Sequence, residues 1–451
     1  MRPNAIQRRL LVALAVVVVV GLVGALAALS HEAEARSSDT YQRQRSQLDA
    51  ELKAAATQGY TSDDLSPIAS QWRTIESAPA PFWLLGGVDF YRNQAGRISQ
   101  LRTDLRTLEQ RLLTVAETDA RRQIDVARSG IEQDRQLGAD QPDLQALQKR
   151  LEDLARAQGA AHSVTDYRNV SHQARALSTD ASALAAATQA ETAEVRRATE
   201  ELKSATGGNV DAIRKAGGDA VSQGRNDASV AAYMNRPGPF KGYDAITRAY
   251  GRLEHYAAQV GSGDLDQAAT GAAAARRYAG QIHDALIAGL PHKAIIVSHE
   301  GQELWAYEDG KVVRNTLVTT GKPPDLATDL GPMKVLSKQS PWKMHSPWPK
   351  GSPYWYPDAM VQMVVWFTRT GEGLHDASWQ NTPYGPNSQY GPSASHGCIH
   401  VPFESESFLF SWAEVGTPVI VYAGDGSPVG NQLGRISTDD QGNPLTGPKG
   451  A

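Results

Sequence analysis

Cys398 is the only cysteine in the chain and lies in the run Ser395-His396-Gly397-Cys398-Ile399-His400, with His375 placed 23 residues upstream in Gly373-Leu374-His375. A lone thiol with imidazoles close by in sequence suits acyl transfer. A free cysteine has a pKa near ~8.5 and is only a few per cent thiolate at neutral pH, so a nucleophilic cysteine needs a base or a positive charge beside it. His375 fits that role, taking the thiol proton on attack and returning it to a leaving amine. His396 is the rival base: it is two residues from Cys398, which in an extended strand puts both side chains on one face. Gly397 lets the backbone turn tightly and bring amide N–H groups toward a developing oxyanion, each donor worth about 3–4 kcal/mol. Ser395 offers a hydroxyl to a substrate carboxylate or amide, or stabilises the turn. The alternative for Cys398 is a small buried hydrophobe.

The same residues permit a metal reading. His396, Cys398 and His400 alternate, with His375 and Asp376 available, and three ligands on one strand face suit zinc. Four-residue structural sites more often pair two separated chelating turns, and bound zinc would quench the nucleophile. The expectation is no metal and no cofactor.

These residues need a scaffold, and the composition changes at Pro291 to supply one. Short β-branched or aromatic runs at 294–297, 304–307, 312–318, 333–336, 361–367 and 418–422 are separated by Gly, Asp, Asn and Pro. Glu308-Asp309-Gly310-Lys311 is a hairpin turn signal. The pattern predicts a mostly β domain of about 130 residues. Within it, residues 340–360 hold Trp342, Trp348, Tyr354, Trp355 and Tyr356 among prolines, a loop that either covers a pocket or packs as a satellite core. As a lid, it would bring Tyr354 and Trp355 to the substrate.

Residues 293–422 resemble the L,D-transpeptidase catalytic domain, the YkuD family, whose signature is a His followed some twenty residues later by Ser/Thr-His-Gly-Cys. Here those positions are His375 and Ser395-His396-Gly397-Cys398. Supporting matches are Ile295-Ile296-Val297 with Gln302-Glu303-Leu304-Trp305-Ala306-Tyr307, then Thr319-Thr320-Gly321, then Gly416-Thr417-Pro418-Val419. The resemblance implies that Cys398 is the nucleophile, His375 its base and His396 a supporting group, with an aromatic flap over the substrate and no metal. It further implies attack on the peptide bond after the third residue, a diamino acid, of a peptidoglycan stem peptide. D-alanine is expelled, and the thioester is resolved by the side-chain amine of another stem to give a crosslink in cell-wall biogenesis. If water intervenes, the same site is an L,D-carboxypeptidase. The chain departs from the pattern at three places. Thr328-Asp329-Leu330-Gly331, a segment that shapes the domain more than the chemistry, replaces Thr-Pro-x-Gly; His400, a candidate substrate-binding residue, stands where an Arg or Asn that binds substrate or orders the site is usual; and Asp376 stands where Gly is frequent.

At the other end, Arg2, Arg8 and Arg9 precede an uncharged run over residues 10–29, whose 20 residues match the ~20 that cross a bilayer as a helix. The positive flank predicts that residues 1–9 stay in the cytoplasm and the rest lies outside. Ala33-Glu34-Ala35 is an acceptable signal cleavage site, but the run exceeds the ~7–15 residues of a signal core, so an uncleaved single-pass anchor is expected. Both readings put Cys398 outside the cytoplasm with no disulfide partner in its own chain.

Residues 37–290 are rich in Ala, Gln, Arg, Glu and Leu and predict helices. Ile98, Leu101, Leu105, Leu108, Leu112 and Val115 form a narrow apolar seam, and Leu144, Leu147, Leu151 and Leu154 repeat it after a break where Asp140 could cap and Pro142 could open a helix. The seam lasts under three heptads, which predicts antiparallel helices or a short coiled coil rather than one long rod. Further breaks are expected at Gly207-Gly208, Gly217-Gly218 and 235–242. The apolar segment 79–87, with Phe82, Trp83, Leu84 and Leu85, reads as a cap on the bundle or a partner surface. Residues 424–451 are poor in apolar groups and read as a disordered tail.

The chain is thus expected to be a multidomain α and β protein, with a membrane helix, a helical region that could meet envelope partners and a terminal β domain. Its net charge of −4, with signs interspersed, and the absence of zinc-finger spacing exclude a nucleic-acid-binding design. Two other readings are a non-catalytic wall-binding scaffold and a helical adaptor carrying the enzyme domain as a passenger.

Overall fold

The computed structural model describes residues 5–79, 86–424 and 436–445. The chain divides into two compact units, Met1–Ala190 and Glu191–Ala451.

The first unit contains α1 (Ala5–Thr57), α2 (Ser62–Glu76), α3 (Gly87–Gln136), α4 (Gln141–Ala160) and the first part of α5 (Val164–Ala205). No breaker separates the apolar run from the charged residues after it, so α1 continues through both. Its best window has a mean hydropathy of 3.0, and the apolar side chains from Leu10 to Leu29 are exposed. That stretch is long and apolar enough to cross a membrane. Thr61 and Asp64 form a capping box that starts α2, which returns along α1 so that Arg45 pairs with Glu76. After this return α3 runs parallel to α1, not antiparallel: Tyr41 meets Tyr91, Arg102 forks onto Glu51 at 3.0 and 2.6 Å, and Tyr60 donates to the Glu109 carbonyl.

The predicted seam is buried at Ile98, Leu101 and Leu105 and partly buried at Leu108 and Leu112, but Val115 is 59% exposed and Ala116 takes the inward place. A helix of 3.6 residues per turn drifts off a 3.5 repeat. The face then continues through Ala120, Ile124, Ala127 and Ile131 against Leu144, Leu147 and Leu154 of α4 and Val170, Ala174 and Leu177 of α5. Small residues hid this continuation. Pro142 lies in the first turn of α4, as expected, and Asp140 takes the N-cap position without a side-chain capping hydrogen bond. Of the segment 79–87, Phe82, Trp83, Leu84 and Leu85 lie outside the described residues.

The second unit takes the rest of α5 with α6 (Val210–Met234), α7 (Tyr243–Val260) and α8 (Leu265–Gly289). Gly207, Gly208 and Gly242 adopt positive φ between helices, whereas Gly217 and Gly218 lie inside α6 and do not break it. A Cβ on Gly217 would come 2.7 Å from Val260 and 2.8 Å from Ala272, so this glycine serves close helix approach.

The β region follows as β1 (Lys293–Ser298), β2 (Glu303–Glu308), β3 (Lys311–Leu317), β4 (Gly331–Lys334), β5 (Ser337–Gln339), β6 (Trp342–Met344), β7 (Ala359–Val361), β8 (Val364–Trp366), β9 (Gly373–Asp376), β10 (Ile399–Val401), α9 (Phe403–Trp412) and β11 (Pro418–Tyr422). Asp309 and Gly310 both have positive φ, as the β2–β3 turn requires. A five-stranded sheet runs β3-β2-β1-β11-β4, a four-stranded sheet runs β10-β9-β8-β5, and β6 and β7 form a separate hairpin. Ile295, Val297, Leu304, Met333, Phe367, Leu374, Ile399 and Val401 share one core with Leu409 of α9. Residues of opposite orientation on the larger sheet, Ile296, Ile420 and Tyr422, share a second core with Tyr233 of α6 and Tyr278, Ile282 and Leu286 of α8. The compact unit therefore begins at Glu191, a hundred residues before the change of composition at Pro291.

The expected disordered tail, 424–451, differs where it is described; 425–435 and 446–451 lie outside the described residues. Residues 436–445 are ordered and Thr438 is fully buried, with its N–H donating to Leu330 O at 3.1 Å. This segment enters the domain through backbone groups and the Ser437 hydroxyl, which an apolar count does not register.

Candidate active site

β9 and β10 pair in parallel with Leu374 opposite Ile399 and His375 opposite His400. Leu374 and Ile399 are fully buried in the core, so strand alternation turns His375 and His400 to the other face. Cys398, just before β10, joins them on the wall of a cavity of about 860 Å³. His375 is 1% exposed, and its Nδ1 lies 2.8 Å from the Asp376 backbone oxygen. That bond makes Nδ1 the donor and leaves a lone pair on Nε2, which is buried without a hydrogen-bond partner. Burial lowers the pKa of His375, opposed by the Asp376 carbonyl and charge.

His400 Nδ1 lies 2.9 Å from Gln380 Oε1, and Gln380 in turn donates to Thr319 Oγ1 at 3.1 Å. Burial, with His375 and His396 nearby, holds His400 well below its ordinary pKa. Trp379 closes this corner, its ring 5.9 Å from His375 and 5.6 Å from His400.

The loop before Cys398 is built around Gly397, whose φ of +131° leaves the extended strand; a Cβ there would come 2.7 Å from Glu372 Oε1. The same-face argument for His396 and Cys398 assumed continuous extension, which this turn interrupts, yet both residues line the same cavity. His396 packs against Tyr356 and Trp348 at ring distances of 5.0 and 5.8 Å, and burial and Lys322 lower its pKa. Ser395 is 3% exposed and lines the cavity, its N–H donating to Thr320 O and its carbonyl accepting from Lys322 N–H. Thr328 Oγ1 donates to Gly397 O at 2.7 Å and accepts from Gly321 N–H at 2.9 Å. The segment Thr328–Gly331, read from sequence as shaping the domain, thus also holds the cysteine loop. The Cys398 thiol donates to Gly371 O at 3.7 Å.

Trp348, Tyr356 and Met360 also line the cavity. Tyr354 and Trp355, the aromatics expected to meet substrate, do not line the cavity. Tyr354 donates to Asp325 at 3.0 Å, and Trp355 lies under Lys350 at 5.6 Å. Spacing alone does not reveal which aromatics of this proline-rich loop turn inward. Among the described residues no group of three or more His, Cys, Asp or Glu side chains is arranged to hold a metal ion.

Sequence reasoning missed Gln380, which carries no motif, and Glu406. The latter, on α9, is fully buried with neither carboxyl oxygen hydrogen-bonded, and burial beside Asp376 raises its pKa well above the carboxylate range. Asp376 Oδ1 accepts the N–H groups of Gln362 and Met363, both at 2.8 Å.

Residues 292–421 match the family model of the YkuD L,D-transpeptidase catalytic domain. Among solved structures, the chain is similar to the catalytic domain of Enterococcus faecium L,D-transpeptidase at 34% identity and a TM-score of 0.25, covering 29% of this chain and 98% of that one. A mutant of the Enterococcus faecium L,D-transpeptidase gives 33% identity and a TM-score of 0.26 over 29% of this chain and 50% of that one. An L,D-transpeptidase from Mycobacterium smegmatis gives 27% and 0.26 over 29% and 59%. The chain therefore spans about half the length of these longer structures. No curated protein matches it.

Proposed function

Because residues 292–421 belong to the YkuD family of L,D-transpeptidase catalytic domains, we propose that the chain forms peptidoglycan crosslinks through a thioester on Cys398. The observation that carries this reading is the fixed tautomer of His375, whose unpartnered Nε2 sits on the cavity wall that also bears Cys398. Burial keeps that imidazole neutral, the form that accepts a proton.

The thiol proton passes to His375 Nε2 as Sγ attacks the carbonyl of the third stem residue. Amides at the Gly397 turn face the developing oxyanion. On collapse the C–N bond breaks and the proton returns from His375 to the departing D-alanine amine, leaving the thioester. The side-chain amine of a second stem, in its neutral form, then attacks the thioester. Its surplus proton goes to His375 and from there to the released thiolate. Water in place of the amine gives L,D-carboxypeptidase activity. Ser395 and the aromatic wall of Trp348 and Tyr356 hold the peptide, and His396 braces that wall. His400 and Gln380 set the floor beside the base. Residues 10–29 of α1 serve as a single-pass membrane anchor with Cys398 on the wall side.

The test is intact-mass spectrometry of the full chain in detergent, wild type and Cys398→Ala, after exposure to a carbapenem and to a disaccharide-tetrapeptide. The reading requires a Cys398-dependent adduct and loss of D-alanine. Dimeric product then means transpeptidation, and monomeric tripeptide product means hydrolysis. A folded protein with neither adduct nor turnover would leave the scaffold reading instead.

A further inference from the structure

Residues 436–445 lie beyond the family match and beyond the last strand, yet they are tied to the domain at two points. At the first, the N–H groups of Ser437 and Thr438 donate to Leu330 O at 2.8 and 3.1 Å. Leu330 N–H donates to Ser437 Oγ at 2.8 Å, and the Ser437 hydroxyl lies 3.1 Å from Asp329 Oδ1. At the second, Arg369 N–H donates to Gly442 O at 2.6 Å and Arg369 Nε–H to Gln441 O at 3.2 Å. Between them Asp439 Oδ1 accepts the N–H groups of Gln441 and Asn443, which closes the turn. Gly442, at φ +75°, lies so close that a Cβ would come 2.9 Å from Phe367 O.

The two segments gripped in this way are the ones that hold the cysteine loop. Beside Leu330, Thr328 Oγ1 donates to Gly397 O and Asp329 N–H donates to Glu372 Oε2 at 3.0 Å. Beside Arg369, Thr368 Oγ1 accepts Glu372 N–H at 2.8 Å, and Gly371 O accepts from the Cys398 thiol. Each path from strap to nucleophile runs through a few residues of backbone and one or two hydrogen bonds.

We propose that residues 436–445 are a positioning strap for Cys398, fixing from outside the two loops whose inner ends hold Gly397 and the thiol. The proposal deepens the acyl-transfer reading and rests on it. A nucleophile displaced by about 1 Å can cost 10²-fold in rate, so loosening either loop acts on the chemical step more than on ligand capture.

The experiment compares the full-length wild type in detergent with Ser437→Ala, Ser437→Thr and Gly442→Val. The first-order carbapenem acylation rate, the reversible binding constant that precedes it, the pH profile of Cys398 alkylation by iodoacetamide and the melting temperature are measured for each. Ser437→Ala and Gly442→Val should slow acylation by about tenfold or more at unchanged initial binding and should alter the alkylation profile, with Ser437→Thr restoring both. Acylation and alkylation like wild type, or losses that merely track the unfolded fraction, would overturn the strap. Alkylation requires no acyl chemistry, so it tests the strap even if the wild type forms no carbapenem adduct, a result that would sink the acyl-transfer reading alone.

Discussion

His375 and His400 stand opposite one another on the parallel strands β9 and β10, their ring centroids 5.0 Å apart. Two imidazoles this close in a dry site disfavour protonation, and both are lowered from the ordinary 6.5. Below that value the unfolded chain binds more protons than the folded one, so these groups remove stability as the pH falls from about 6.5 toward their folded values. Thermal melts should show this acid-side loss, reduced in His400→Gln. The acid limb of the carbapenem acylation rate should lie below 6.5 in the wild type; a limb above it would contradict a neutral, buried base.

Glu406 makes the opposite prediction. Its folded pKa is raised well above 4.5, so the folded state holds a proton that the unfolded state releases, and stability is lost as the pH rises toward the folded value. Glu406→Gln keeps the shape of the protonated acid without that liability. The variant should melt higher than wild type at pH 8, converge with it near pH 4.5 and still acylate. Equal melting temperatures at both pH values would show that Glu406 carries no such penalty.

The aromatic wall separates two pairs of residues. Tyr356→Ala and Trp348→Ala should weaken carbapenem or tetrapeptide binding several-fold, in line with the roughly 0.5–1.5 kcal/mol of an aromatic pair beyond its area burial. Tyr354→Ala and Trp355→Ala should leave the binding constant near wild type, because these side chains meet Asp325 and Lys350 instead. Pre-steady-state acylation traces over a range of ligand concentrations distinguish the two pairs.

Thr328→Val preserves volume but leaves Gly321 N–H and Gly397 O without their shared hydroxyl. Each buried group left unsatisfied costs roughly 1–3 kcal/mol. The expected result is a melting temperature lower by several degrees together with slower acylation, and Thr328→Ser should recover most of both. Recovery of stability without recovery of rate would confine Thr328 to a structural role.

Cys398, His375 and Gly397 were readable because the one cysteine and the few histidines stand at a restricted spacing around a glycine, and the β strands because β-branched runs end at turn residues. Asp309-Gly310 predicted its hairpin for the same reason. What remained hidden depends on contacts distant in sequence. Val115 lost its place to Ala116 because helical phase accumulates over several turns. Tyr354 and Trp355 gave way to Trp348 and Tyr356 because no local pattern tells which side of a proline-rich loop faces inward. Gln380 has meaning only beside His400, and residues 436–445 looked disordered because they bind mainly through main-chain groups and one serine hydroxyl.

One strand of the larger sheet has two allegiances. β1 gives Ile295 and Val297 to the core between the sheets and Ile296 to the core shared with α6 and α8. A fragment begun at residue 292 would present Ile296, Ile420 and Tyr422 to water as a sticky face. In this chain the catalytic module is not an exchangeable cassette, and grafting it onto another carrier would require either its three preceding helices or a redesigned outer sheet surface.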